Sequence, residues 1–127
     1  MITDEMKSRV VSYLKDTLIH DSKIGLGGNS TNPTSTDLDV PLSVTPTMVK
    51  SKSDENVLEV KLSISGSTIQ GRVIREVGLF DDGQLDDSGS ARSPTRDDLL
   101  VHRINFDGVG PFATSETVEI FIILEVE

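Results

Sequence analysis

Apolar residues recur at every fourth position near the start of the chain: Met6, Val10, Leu14 and Leu18, with Val11 and Tyr13 beside them. This spacing draws one stripe over about four helical turns and predicts an amphipathic α-helix within residues 1–21. Thr3 precedes it as an N-cap, its hydroxyl able to accept from a free N–H of the first turn. Asp4 and Glu5 follow where the helix dipole favours negative charge. Lys7, Arg9, Lys15 and Asp16 take the other face, and His20 falls at the end, near the free carbonyls. A single helix ahead of a β domain can bury its stripe on its own domain or against a neighbouring subunit. Met6, Val10, Leu14 and Leu18 are therefore candidate interface residues.

From residue 22 to 127 the period changes. Lys23 to Gly28 reads as a short strand ending in a glycine turn, and residues 29–39 as a long polar loop. Leu42, Val44 and Val49 suggest a strand broken by Pro46. Leu58, Val60, Leu62 and Ile64 alternate with Glu59, Lys61 and Ser63, a half-buried strand. After a turn at 66–71, residues 73–80 form another, with Val73, Val77 and Leu79 on one face and Ile74 and Phe80 on the other. Residues 99–106 predict a further strand before Gly108-Val-Gly-Pro111 breaks it. In the last, Val118, Ile120, Ile122, Leu124 and Val126 face one way, Glu119, Glu125 and Glu127 the other, with Phe121 and Ile123 between. No helical pattern separates these runs. The reading is a mainly β chain, an antiparallel β-sandwich with an N-terminal amphipathic α-helix.

Residues 81–98 interrupt this rhythm with six Asp, two Gly, Pro94 and several Ser. A hairpin needs about two to five residues between strands, so this stretch predicts an exposed acidic excursion. It changes the meaning of the charge. The 127 residues hold 21 Asp+Glu against 12 Lys+Arg, for a net charge of −9. Residues 81–98 contribute about −4 of that, once Arg92 and Arg96 are counted. The acid excess fits an ordinary solvated surface or one adapted to high salt. Its concentration in one loop weakens the second reading. An acidic chain offers no broad attraction to nucleic acid or to an anionic membrane. With no cysteine there is no disulfide framework or thiol nucleophile. The opening Met-Ile-Thr-Asp-Glu lacks the basic start and apolar block of a signal peptide, and no apolar run approaches the ~20 residues of a membrane span.

Catalytic chemistry is sparse. His20 and His102 have no suggestive context, and there is no HExxH, Gly-x-Ser-x-Gly or metal-ligating His pair. The glycines of Gly25-Leu-Gly27-Gly28 lack the Lys-Ser/Thr ending of a phosphate loop. Asn29-Ser30-Thr31 matches the glycosylation triplet without a secretory context. Asp81-Asp82, Asp86-Asp87 and Asp97-Asp98 are neighbouring carboxylates that could serve acid/base work or hold a cation, yet none has EF-hand spacing. The few aromatics fall mostly at positions that read as core. The residues point to no enzyme, no cofactor and no metal.

One segment is more specific. Ile74-Arg-Glu-Val-Gly-Leu-Phe-Asp-Asp-Gly83 resembles the EIGLFD-x-x-G segment of tail fibre, tail collar and baseplate-associated proteins of tailed phages and archaeal tailed viruses. Leu100-Val-His-Arg103-Ile-Asn-Phe106 is similar to the L-x-x-R-x-x-F strand that follows in those proteins. The alternation of Val118 to Val126 is similar to their closing strand. The short helix, the Gly-x-Gly turn at Ile24 to Gly28 and the polar loop leading to Leu38 or Leu42 match their front. The acidic insert is a departure. The resemblance implies a structural virion protein of the tail tip, baseplate or fibre attachment, made in the host cytoplasm. It implies assembly as a homo-oligomer, a trimer in the usual case, and binding to other tail or baseplate proteins. Alternatives are a capsid decoration or turret protein, a host-receptor binding module using the 81–98 loop, or a hydrolase using Asp86 and Asp87. Glu76, Gly78, Phe80, Arg103 and Phe106 are its structural motif. Glu76, flanked by apolar residues, needs a partner, and Arg103 on the next strand is the candidate. Gly78 would permit close backbone approach or a bulge.

Overall fold

A computed structural model describes residues 2–27, 37–69, 71–86, 88–93 and 99–127. Gly28, the Asn29-Ser30-Thr31 triplet, Asp87, Arg96 and Asp97-Asp98 lie outside the described residues. Helix α1 spans Asp4–Tyr13 and continues as a π-helical turn over Leu14–Leu18. Among the described residues six strands follow: β1 Asp21–Gly25, β2 Thr47–Asp54, β3 Val57–Ser65, β4 Ile74–Asp81, β5 Leu99–Val109 and β6 Thr117–Glu125. They form two antiparallel three-stranded sheets, β1-β4-β5 and β2-β3-β6. The fold is an antiparallel β-sandwich with an N-terminal helix.

The core follows from the alternation. Leu58, Val60, Leu62 and Ile64 of β3 are buried, as are Val118 and Ile122 of β6. They meet Ile24 of β1 and Ile74, Val77 and Leu79 of β4 in one cluster. Ile74 belongs to this cluster and not with Phe80 as the simple alternation had it, because the β4–β5 register shifts between Ile74 and Glu76. The first strand after the long loop also differs. Leu42 and Val44 precede β2, which runs through the polar residues Lys50 to Asp54. Those residues pair with β3 at the sheet edge and need no apolar face, so no period marks them.

The helix packs against β2 and β3, closing the flank of the sandwich where β2 is the edge. Thr3 caps it, accepting from the Met6 N–H at 3.2 Å. At its other end the Ile19 N–H bonds to the Leu14 carbonyl at 2.9 Å, a five-residue step. The Lys50 ammonium completes this end, donating to the Lys15 carbonyl at 2.6 Å and to the Ile19 carbonyl. A cation is favoured there by the free carbonyls and the helix dipole. Burial pushes the Lys50 pKa below its ordinary value, Asp16 opposing and Lys15 adding to the shift.

Candidate functional site

The outer face of the β1-β4-β5 sheet carries the motif residues. Register places Glu76 between Gly25 and Asn105, and Gly78 between Lys23 and Arg103. Partners directly opposite share a face, so Glu76, Gly78, Lys23 and Arg103 all point away from the core. Residues 37–42 lie across this face as a strap. Its second half is tied by backbone bonds from the Leu26 N–H to the Val40 carbonyl at 3.0 Å and from the Leu42 N–H to the Ile24 carbonyl at 2.9 Å.

Two charged side chains hold the strap, Glu76 buried and Arg103 partly so. The Glu76 carboxylate, fully buried, accepts from the Val40 N–H at 2.8 Å and the Asp39 N–H at 3.1 Å. Arg103 donates to the Asp37 carbonyl and pairs with the Asp39 carboxylate at 3.8 Å. The expected Glu76–Arg103 pair is therefore corrected. Arg103 stands opposite Gly78, two residues along from the Glu76 position, and the strap brings backbone amides to the carboxylate instead. Both charges act on the same strap from neighbouring strands.

Gly78 makes room for it. A Cβ there would lie 2.7 Å from the Phe80 ring and 3.0 Å from Leu38 Cδ2. Phe80 is fully buried and Leu38 nearly so, a small apolar cluster apart from the main core. Lys23 places its ammonium 4.5 Å from the centre of the Phe80 ring and 3.6 Å from Asp37 Oδ1. Gly25 is equally constrained, since a Cβ there would overlap the Glu76 carboxylate. The Glu-Val-Gly-Leu-Phe sequence thus encodes two faces: Val77 and Leu79 enter the core, while Glu76, Gly78 and Phe80 seat the strap. Leu38 was named as an apolar residue at the end of the polar loop, but its strap neighbours Asp37, Asp39 and Val40 were missed because they fell in a polar stretch that reads as loop. The buried Glu76 itself was the signal that something must cover it.

Phe106 lies elsewhere. With Ile74, Val109, Phe112, Val118, Ile120 and Phe121 it lines an apolar cleft of about 530 Å³ between the β5 and β6 edges, opposite the helix-covered flank. The helix stripe is divided. Met6 is 51% exposed and Val10 37%, whereas Leu14 is half-buried against the core and Leu18 half-buried in the π-turn. Val11 is the helix residue that enters the core fully. Ile2 and Tyr13 join Met6 and Val10 on the exposed side. The aromatics are also less uniformly core than expected, since Tyr13 and Phe121 are exposed.

The acidic loop has local order. Asp86 Oδ1 accepts from the Ser88 N–H, the Ser88 hydroxyl and the Ser90 N–H. The Ser88 side chain first, then the Ser90 and Ser88 amides, hold its pKa below the usual carboxylate value. Asp86 is thus a turn acceptor. His102 is half-buried on β5. His20 stands with Asp81 and Asp82, the one grouping among the described residues with the donor types of a cation site. Its Nδ1 lies 3.4 Å from Asp82 Oδ2, and its Nε2 meets the Thr17 carbonyl. All three side chains are at least partly open to water.

No protein-family model matches the chain, and no curated protein does. Among the described residues, no helix is long and apolar enough to cross a membrane.

Proposed function

We propose that this chain is a structural virion protein of a tailed virus, a component of the tail tip, baseplate or fibre attachment that works by homo-oligomeric assembly and protein–protein binding. The observation that carries the reading is the distribution of exposed apolar side chains. Seven of the ten large ones among the described residues lie on the helix (Ile2, Met6, Val10, Tyr13) or on the outer face of the β2-β3-β6 sheet (Val49, Phe121, Ile123). Exposed apolar side chains grouped on one helix side and one sheet face are what assembly uses. Glu76 and Arg103, by contrast, are engaged in fixing the strap, so the motif reads as architecture and not as chemistry. The resemblance of the β4, β5 and β6 sequences to segments of tail and baseplate proteins supports the proposed location.

The test is immunogold electron microscopy of intact particles of the encoding virus with antibody against the chain. Gold at the tail tip, baseplate or fibre base is expected. Gold on the head would replace the reading with a capsid decoration or turret protein, and particles free of the chain would overturn it.

A further inference from the structure

The outer face of the β2-β3-β6 sheet differs from that of the other sheet: no strap of described residues lies over it. Its rows follow from the registers. Val49, Lys61 and Phe121 lie side by side in one row, and Ser51, Glu59 and Ile123 in the next. Val49 is 53% exposed, Phe121 57% and Ile123 67%, although a three-stranded sheet could have presented polar side chains at all three positions. On the central strand, between these apolar residues, stand one acid and one base two residues apart.

We infer that this face is a two-fold interface between two copies of the chain. A two-fold contact must be self-complementary, each patch meeting itself in reverse. Take an axis lying between the facing sheets, perpendicular to the strands and level with Val60. It exchanges the two rows. Lys61 then faces Glu59 of the second copy, and Glu59 faces its Lys61. Phe121 meets the second copy's Ile123 on the β6 side, and Val49 meets its Ser51 on the β2 side. The alternative axis, parallel to the strands, sets Lys61 over Lys61 and Glu59 over Glu59. Like charges in that position oppose pairing, so the charge pattern selects the first arrangement. Facing sheets sit ~10 Å apart, a gap that the Lys and Glu side chains together can bridge. In the same arrangement Glu119 lies over the second copy's Glu125 at the rim, where water screens them. Within its own chain Glu119 is held 3.9 Å from Lys61.

The inference rests on the assembly reading and names the surface that carries it: a monomeric chain overturns both, single reversals that pair normally overturn this interface alone, and particles free of the chain overturn the tail reading alone. Light-scattering mass measurement on the intact chain and three variants tests it, with circular dichroism melts confirming that each variant is folded. Lys61→Glu alone and Glu59→Lys alone each place like charges across the axis. Each is expected to weaken self-association on the order of a hundredfold. Mixing the two single variants restores opposite charges in both pairs and is expected to restore the complex. The double reversal Glu59→Lys/Lys61→Glu, which keeps the patch self-complementary, is expected to pair with itself as the original chain does. A monomeric original chain, single reversals that associate as tightly as it does, or a mixture that stays unassociated would each overturn the inference.

Discussion

Replacing Glu76 by Gln tests the strap directly. The change keeps the size of the side chain and removes its charge. In the native chain two backbone amides, of Asp39 and Val40, donate to the two carboxylate oxygens at 3.1 and 2.8 Å inside a site closed to water. Hydrogen bonds to a charged partner contribute about 1.5–3 kcal/mol each. Glutamine can accept through one oxygen, so one amide keeps a weaker, neutral bond. The other faces an NH₂ group and is left buried and unsatisfied. The loss is therefore about 2–3 kcal/mol. For a domain of this length that lowers the melting temperature by roughly 6–15 °C. Calorimetry measures the shift, and amide hydrogen exchange locates it: protection at Asp39 and Val40 should fall more than protection in β3. A melting temperature within about 1 °C of the original, or unchanged protection at both amides, would refute the assignment of Glu76 as the group that holds the strap.

Three further substitutions probe other parts of the account. Gly78→Ala pushes a methyl group against Phe80 and Leu38. It should cost about 1–3 kcal/mol by overpacking, read by denaturant titration, and a neutral effect would mean that the strap is loosely seated. Ser22 is buried with a hydroxyl that has no hydrogen-bond partner among the described residues. Ser22→Ala should then stabilise the chain or leave it within about 0.5 kcal/mol, whereas a loss above about 1 kcal/mol in the same titration would show that the hydroxyl is satisfied. Lys50 has its pKa lowered by burial, so the unfolded chain binds more protons than the folded one between the lowered value and 10.5. Its contribution to stability therefore rises with pH across that window. Melts of the original chain and Lys50→Met should show the rise only in the former, and parallel curves would contradict it.

Much of the sandwich was legible because its inner strands obey a two-residue period. Leu58 to Ile64 alternate between core and solvent as their sequence does, and Val118 to Leu124 keep the same period in burial, with the apolar Phe121 and Ile123 on the outer side. The second half of β2 was not, because an edge strand such as Lys50 to Asp54 is held by backbone bonds to β3 and exposes polar side chains. The helix was legible as an element, but the direction of its stripe was not. Leu14 follows the buried Val11 by three residues, about one helical turn, and shares its core-facing side, so Met6 and Val10 stay outside while Leu14 turns towards the core. Of the motif, the need of Glu76 for a partner was readable from its apolar neighbours. The identity of that partner was not, since backbone amides of a polar segment leave no mark in residue type. The apolar outer face was present in the sequence as Phe121 and Ile123 at positions where alternation calls for polar residues.

The central claim is that this chain acts by assembling through its exposed apolar faces. The most direct measurement is the mass of the purified, untagged chain by multi-angle light scattering as its concentration is raised. The account predicts a species of at least twice the 13.8 kDa of one chain. A single species of 13.8 kDa at every concentration would contradict it.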